Sequence, residues 1–126
     1  MRCAGMLCVL VLVPVLLAAE PQVTAISPAE AAKKVNEKVT VEMEVKSTGG
    51  TSNWYLNSEE SFKDGKNFTV FIPKESVEKF KKNKIEDPAV AYKGKTIHVT
   101  GTVTLNKEKP QIKVEDPDQI KILPKK

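Results

Sequence analysis

The stretch 94-GKTIHVTGTVTLNKEKPQIKV-114 decides how this chain folds. Apolar and polar residues alternate along it: Ile97, Val99, Val103 and Leu105 fall on one side, and Thr96, His98, Thr100, Thr102 and Thr104 on the other. Period-two alternation is the pattern of a half-buried β-strand, because successive side chains leave opposite faces of the pleat. Gly101 falls on the inward side, where a residue without a side chain suits a bulge or sharp bend that lets a small sheet curl. Asn106 to Lys109 reads as a tight loop, and Gln111 to Val114 as the start of a partner strand. Asp116-Pro117 interrupts that strand, and Ile120 to Leu123 continues or ends it.

Upstream, the run Val39 to Val45 repeats the alternation, with Val39, Val41, Met43 and Val45 on one face and Thr40, Glu42 and Glu44 on the other. Lys46 to Asn53, with Gly49-Gly50, reads as a flexible loop. Trp54 to Asn57 follows as a short strand with Leu56 inward and Tyr55 outward; the lone Trp54 suits packing at a barrel rim. A polar connection from Ser58 to Asn67, turning at Asp64-Gly65, leads into Phe68 to Ile72. There Phe68, Val70 and Ile72 share one face and Thr69 and Phe71 the other, until Pro73 ends the strand. Lys74 to Lys84 is a short amphipathic helix with Val77 and Phe80 as its apolar pair. At the other end, Ser27 as N-cap, Pro28 in the first turn and Glu30 three residues on form a capping-box signature for a helix over Pro28 to Val35. Glu20 to Ala25 reads as a flexible lead-in, and Lys125-Lys126 as a frayed tail.

The expected architecture is therefore all-β with short helices, in the order helix, three strands, helix, two strands. A helix between the third and fourth of five strands matches the OB-fold barrel, whose ligand face lies on its second and third strands, aided by the loops joining strands one to two and four to five. Residues 1–19 are expected to be a signal peptide: a single cation, Arg2, then the apolar run Met6 to Leu17, then Ala18-Ala19. That run is shorter than the roughly 20 residues that span a bilayer and contains Pro14, so cleavage is favoured over anchoring, with no stable membrane insertion afterwards. Residues 20–126 form the single OB-fold domain, exported to the periplasm or secreted.

Both cysteines, Cys3 and Cys8, lie in the leader, so disulfides do not stabilise the mature chain. The formal charge of +4 falls to +3 without Arg2, 19 basic against 16 acidic residues, which is too mild for a dedicated DNA packager. A single mature histidine, His98, and no cysteine argue against zinc or copper. Neither a metal nor any other cofactor is expected.

Five stretches, EKVTVEMEV at Glu37 to Val45, WYLNSEESF at Trp54 to Phe62, NFTVFI at Asn67 to Ile72, GKTIHVTGTV at Gly94 to Val103 and PQIKVEDPDQIKI at Pro110 to Ile122, together resemble the small exported bacterial OB-fold proteins of the nucleic-acid-binding, tRNA-synthetase/helicase type. The resemblance lies in their order and spans essentially the whole mature chain. It implies a module that binds single-stranded DNA or RNA. One departure is that the family pattern has an aromatic residue and a glycine after the Leu-Asn pair, whereas Ser58, Glu59 and Glu60 follow Asn57 here.

OB-folds hold single strands by stacking bases on aromatic rings and tracking phosphates with cations. The stacking candidates are Tyr55 and Phe71, with Phe62 a third; the cationic ones are Lys46, Lys107, Lys109 and Lys113. Each also has a plain structural role available, the rings as covered packing and the lysines as solvated surface. Glu42 and Glu44, outward on the first long strand, count against a phosphate backbone and favour the alternative, an envelope protein, peptide or glycan in the same groove. Catalysis is not expected: His98 has only threonines on its face, Glu115, Asp116 and Asp118 flank a proline turn, and the mature chain lacks arginine. Asn67-Phe68-Thr69 is formally a glycosylation acceptor but sits at a strand start, and no role is assigned to it. The protein is expected to be a monomer.

Overall fold

The computed structural model describes residues 24–124. The expected leader over 1–19, residues 20–23 of the lead-in and the Lys125-Lys126 tail lie outside the described residues. Within them the chain is mostly β, a mixed sheet of eight strands with a few short helices. The strands are β1 (Ala25–Ile26), β2 (Lys38–Glu44), β3 (Ser47–Gly49), β4 (Trp54–Asn57), β5 (Thr69–Ile72), β6 (Thr96–Asn106), β7 (Lys109–Lys113) and β8 (Ile120–Ile122). The helices are α1 (Pro28–Ala31), α2 (Val77–Lys82) and α3 (Pro88–Tyr92), with 3-10 turns at Lys74–Ser76 and Pro117–Gln119.

Five expected strands become eight for local reasons. The lead-in is not all flexible, because Ala25 and Ile26 pair in parallel with Thr40 and Val41. The expected loop after Val45 holds β3, which pairs with β4. The last strand does not continue through Asp116-Pro117; the chain turns there, with Asp116 accepting from the Asp118 amide, and β8 joins β6 instead.

The hydrogen-bonded order is β1-β2-β6-β7-β5-β4-β3, with β8 also on β6, and this path does not close on itself. Its two end regions are nevertheless one run of chain, since only Val45 and Lys46 separate β2 from β3. The Val45 amide donates to the Lys95 carbonyl at 2.8 Å, while the next amide, Lys46, donates to the Asn57 carbonyl at 3.0 Å. Consecutive residues thus bond to opposite ends of the strand order, which forces the sheet to curl. The inward faces meet in a core of Val41, Val45, Leu56, Phe68, Val70, Ile72, Ile97, Val99, Val103 and Ile112, all fully buried. Burial of side chains of this size contributes about 1.5–3 kcal/mol each. Trp54 is half-buried against this core.

The helices close off parts of that core. Ser27 and Glu30 form the expected capping box, but α1 ends at Ala31 because the following turns tighten and Asn36 takes a left-handed φ of 73°. α3 was not expected, although Asp87-Pro88 is a start signal: the Asp87 carboxylate accepts from the Ala89 amide at 3.0 Å. The Tyr92 ring meets Phe80 of α2 edge-on, with centroids 6.4 Å apart.

Two inward positions on β6 behave differently from expectation. Leu105 is 52% exposed: the β2 ladder reaches only to Lys38 opposite Thr102, and beyond it β6 runs on to its hairpin paired with β7 alone. Gly101 is buried, and the β2–β6 register runs through it without the skipped residue of a bulge, while on its other edge β6 passes from β8, paired as far as Val99, to β7, paired from Val103. Its reason is space. A Cβ at Gly101 would lie 2.6 Å from Ile112 Cγ2 and 3.2 Å from Gln119 Nε2. The β6–β7 hairpin turns on only Lys107-Glu108, both at positive φ (52° and 67°), as a two-residue type I′ connection requires.

Two substitutions should therefore move stability in opposite directions in urea denaturation. Gly101→Ala is expected to cost about 1–3 kcal/mol by overpacking against Ile112. Glu108→Gly is expected to add about 0.5–1 kcal/mol, because glycine adopts the left-handed region without the Cβ clash.

Candidate functional site

Register decides what the outer face of β3, β4, β5 and β7 presents. Gly49 lies opposite Tyr55, Tyr55 opposite Phe71, and Phe71 opposite Lys113, so these four form one row across the strands. Ser47, Asn57, Thr69 and Gln111 form the next row. The Tyr55 and Phe71 rings are half-buried, with centroids 5.4 Å apart and planes tilted by 33°. Such a pair contributes about 0.5–1.5 kcal/mol beyond its buried area. Gly50, at φ 100°, makes the tight turn against this row: a Cβ there would sit 1.9 Å from the Asn53 carbonyl oxygen and 3.0 Å from the Tyr55 ring.

The loop Ser58–Asn67 folds over one end of this face and is held by a buried polar network. The Asn67 Nδ2 group donates to Thr69 Oγ1 at 3.0 Å and to Asn57 Oδ1 at 3.3 Å, while Asn67 Oδ1 accepts from the Glu59 amide at 3.1 Å. Ser47 Oγ donates to the Glu59 carbonyl, and Ser58 Oγ accepts from the Phe68 amide. Every polar atom of the Asn67 side chain is thus engaged, and the residue is 7% exposed. Its formal glycosylation triplet is closed off in the fold. Phe62, by contrast, is 59% exposed on the loop, with Lys63 Nζ 5.9 Å from its ring centroid. Lys109 Nζ reaches back to donate to the Phe62 carbonyl at 3.3 Å.

Between loop and hairpin lies a groove of ≈ 710 Å³, lined by Tyr55, Phe62, Thr69, Lys107, Lys109 and Gln111 among others. Of the residues picked out from the sequence, it gathers Tyr55, Phe62, Lys107 and Lys109. Phe71 and Lys113 continue the Tyr55 row beyond the lining, and Lys46 stands at the bend beside it. Two of the lysines have partners: Lys46 with Glu59 at 3.8 Å and Lys113 with Glu115 at 3.5 Å. Lys107 and Lys109 have no carboxylate within 4 Å among the described residues. Asn57, Thr69 and Gln111 were not picked out, although strand alternation alone places them on the outer side with Tyr55 and Phe71.

Glu42 and Glu44 do not belong to this groove. They stand on β2, which pairs with β1 and β6, and the ladder sets Glu42 directly opposite His98. His98 Nε2 and Glu42 Oε1 are 2.9 Å apart, so the expectation of only threonines around His98 is corrected by a cross-strand partner 56 positions away. A carboxylate does reach the groove from elsewhere, at Glu60.

No family model matches this chain, and no curated protein matches it in sequence. Among solved structures, it is similar to OBody AM1L10 bound to hen egg-white lysozyme, at 18% identity and a TM-score of 0.56, covering 86% of this chain and 100% of that one. It is also similar to the crystal structure assigned to an aspartyl-tRNA synthetase from Leishmania major Friedlin, at 15% identity and a TM-score of 0.53. That match covers 86% of this chain and 22% of the synthetase chain, about a fifth of its length. At such identities the likeness is one of fold.

The polar network gives a direct test of what holds the loop. Asn67→Ala leaves the part-buried Glu59 amide without its acceptor and removes the buried bond to Asn57 Oδ1, and is expected to cost about 1–3 kcal/mol in chemical denaturation. A loss below about 0.5 kcal/mol would mean that water replaces the side chain and the loop does not depend on it.

Proposed function

We propose that this chain is an exported, non-enzymatic OB-fold module whose groove binds single-stranded nucleic acid weakly and with little sequence preference. The observation that carries this reading is the convergence of two rings, the half-buried Tyr55 and the exposed Phe62, with two ammonium groups that have no carboxylate within 4 Å among the described residues, Lys107 and Lys109, on one groove. Every base has a π-face, so ring platforms accept any sequence. Lysines supply point charges to phosphates without the planar fork of arginine, which suits loose tracking of a backbone. Phe71 supports the Tyr55 ring, while Lys46 and Lys113, at the ends of the face, are each offset by a glutamate and would reach a phosphate only by giving up that partner. The similarity to part of a tRNA synthetase supports an OB-type barrel, a fold used for oligonucleotides and oligosaccharides alike.

A second reading, a protein, peptide or glycan ligand from the cell envelope, draws on Glu60 in the lining and on the uncharged row of Asn57, Thr69 and Gln111. Among the similar structures, the OBody is described as bound to a protein, lysozyme.

Salt separates the two readings. For a labelled oligothymidine, two lysine contacts to a single strand predict a slope of log K on log salt of about −1.4, and Lys107→Ala or Lys109→Ala should each remove about half of it. Tyr55→Ala and Phe62→Ala should each weaken binding by about 1–3 kcal/mol, while Glu42→Gln, on the other wall, leaves it unchanged. Absence of any complex at low ionic strength, or a complex indifferent to salt, would rule out nucleic acid and leave the second reading.

A further inference from the structure

A second recess, of ≈ 760 Å³, lies where the end of α2 meets β8, and it shares no lining residue with the groove. Its apolar surface comes from Ile85 and Ile120, with Ile122 left 49% exposed beside them. Three lysines line it from two separate elements: Lys82 and Lys84 at the end of α2, and Lys121 on β8. None has a carboxylate within 4 Å among the described residues, and the lining holds a single carboxylate, Asp118.

Two further features set this recess apart from an ordinary charged surface. Lys84 adopts φ 67° at the position just past α2, where the Ile85 amide donates back to the Phe80 carbonyl and the Lys84 amide to the Lys81 carbonyl, both at 2.9 Å. Glycine fits that helix-ending geometry without strain, whereas a lysine carries a steric cost there, and strained residues cluster at functional sites. Tyr92, only 2% exposed, also lines the recess, and no acceptor among the described residues takes its hydroxyl proton. Burial pushes the Tyr92 phenol up to about 12. A buried donor without a partner is costly, and a ligand oxygen would satisfy it.

We infer that this recess binds a small amphiphilic anion, with a phosphate or carboxylate head held by Lys82, Lys84 and Lys121 and an apolar body resting on Ile85, Ile120 and Ile122. The Tyr92 hydroxyl donates to the bound molecule. The site is independent of the groove, so either can fail without the other.

Octyl phosphate below its micelle concentration is the probe, followed by amide chemical shifts of the full domain. Saturable shifts are expected at Ile85, Ile120 and Lys121, with inorganic phosphate and octanol each binding at least about tenfold more weakly. Lys84→Gly should weaken binding about tenfold while leaving the melting temperature unchanged or raised, because glycine relaxes the backbone; loss of binding then cannot come from unfolding. Tyr92→Phe should weaken it several-fold without moving oligonucleotide affinity. Co-sedimentation with phosphatidylglycerol vesicles that is lost in Lys84→Gly would identify the source as a lipid headgroup, and binding of octyl phosphate without vesicle binding a free anion; both support the site. Equal binding of octanol and octyl phosphate, unaltered affinity in Lys84→Gly, or no saturable shift at millimolar probe would overturn it.

Discussion

The structure depends on one run of chain, Lys38 to Gly49, that belongs to both ends of the strand order. Its first part is hydrogen-bonded to β6 and its last part to β4, and the switch takes place across the consecutive amides of Val45 and Lys46. A flat sheet cannot satisfy both sets of bonds. Curling brings the apolar faces together, and because buried backbone groups must be paired, the curvature is fixed by hydrogen bonds rather than by side-chain packing alone. No cysteine lies among the described residues to reinforce it. Internal pairing, including the Asn57, Asn67 and Thr69 network, does the work of a cross-link for the longest loop.

Curling also separates the outer surface into two walls with different chemistry. One carries the tilted Tyr55 and Phe71 pair and leads to the groove, while the other carries Glu42 beside His98. Outward carboxylates and outward rings lie close together in the linear chain yet do not share a surface. For the groove, the relevant acid is therefore Glu60 from the loop and not the glutamates of β2.

How much of this could be read beforehand follows from the range of each interaction. Strand alternation placed Val41, Val45, Leu56, Phe68, Val70, Ile72, Ile97, Val99 and Val103 inward, because period two depends only on neighbouring residues. The capping box of Ser27 and Glu30 was legible for the same reason. Leu105 was misplaced because alternation gives the side of a strand but not how far its neighbouring strand extends beside it. The partner of His98, the parallel pairing of β5 with β7, and the pairing of β8 with β6 depend on residues far apart in the chain. In the groove, Tyr55, Phe62, Lys107 and Lys109 could be singled out by residue type, whereas the roles of Asn57, Thr69 and Gln111 emerged only once the register was known.

The ladder between β2 and β6 joins residues such as Glu42 and His98, 56 positions apart. During synthesis the apolar side of β2 must therefore wait for most of the chain before it gains its partner, and topologies of this kind mature slowly. Over that interval Val39, Val41 and Met43 form a sticky segment open to self-association. Lys38, Glu42 and Glu44, interleaved with or adjacent to them, are charges of the kind that oppose stacking between unfolded strands. Charges so placed have a consequence for the unfolded chain as well as for the native surface, since exposed apolar strands are where folding and aggregation compete.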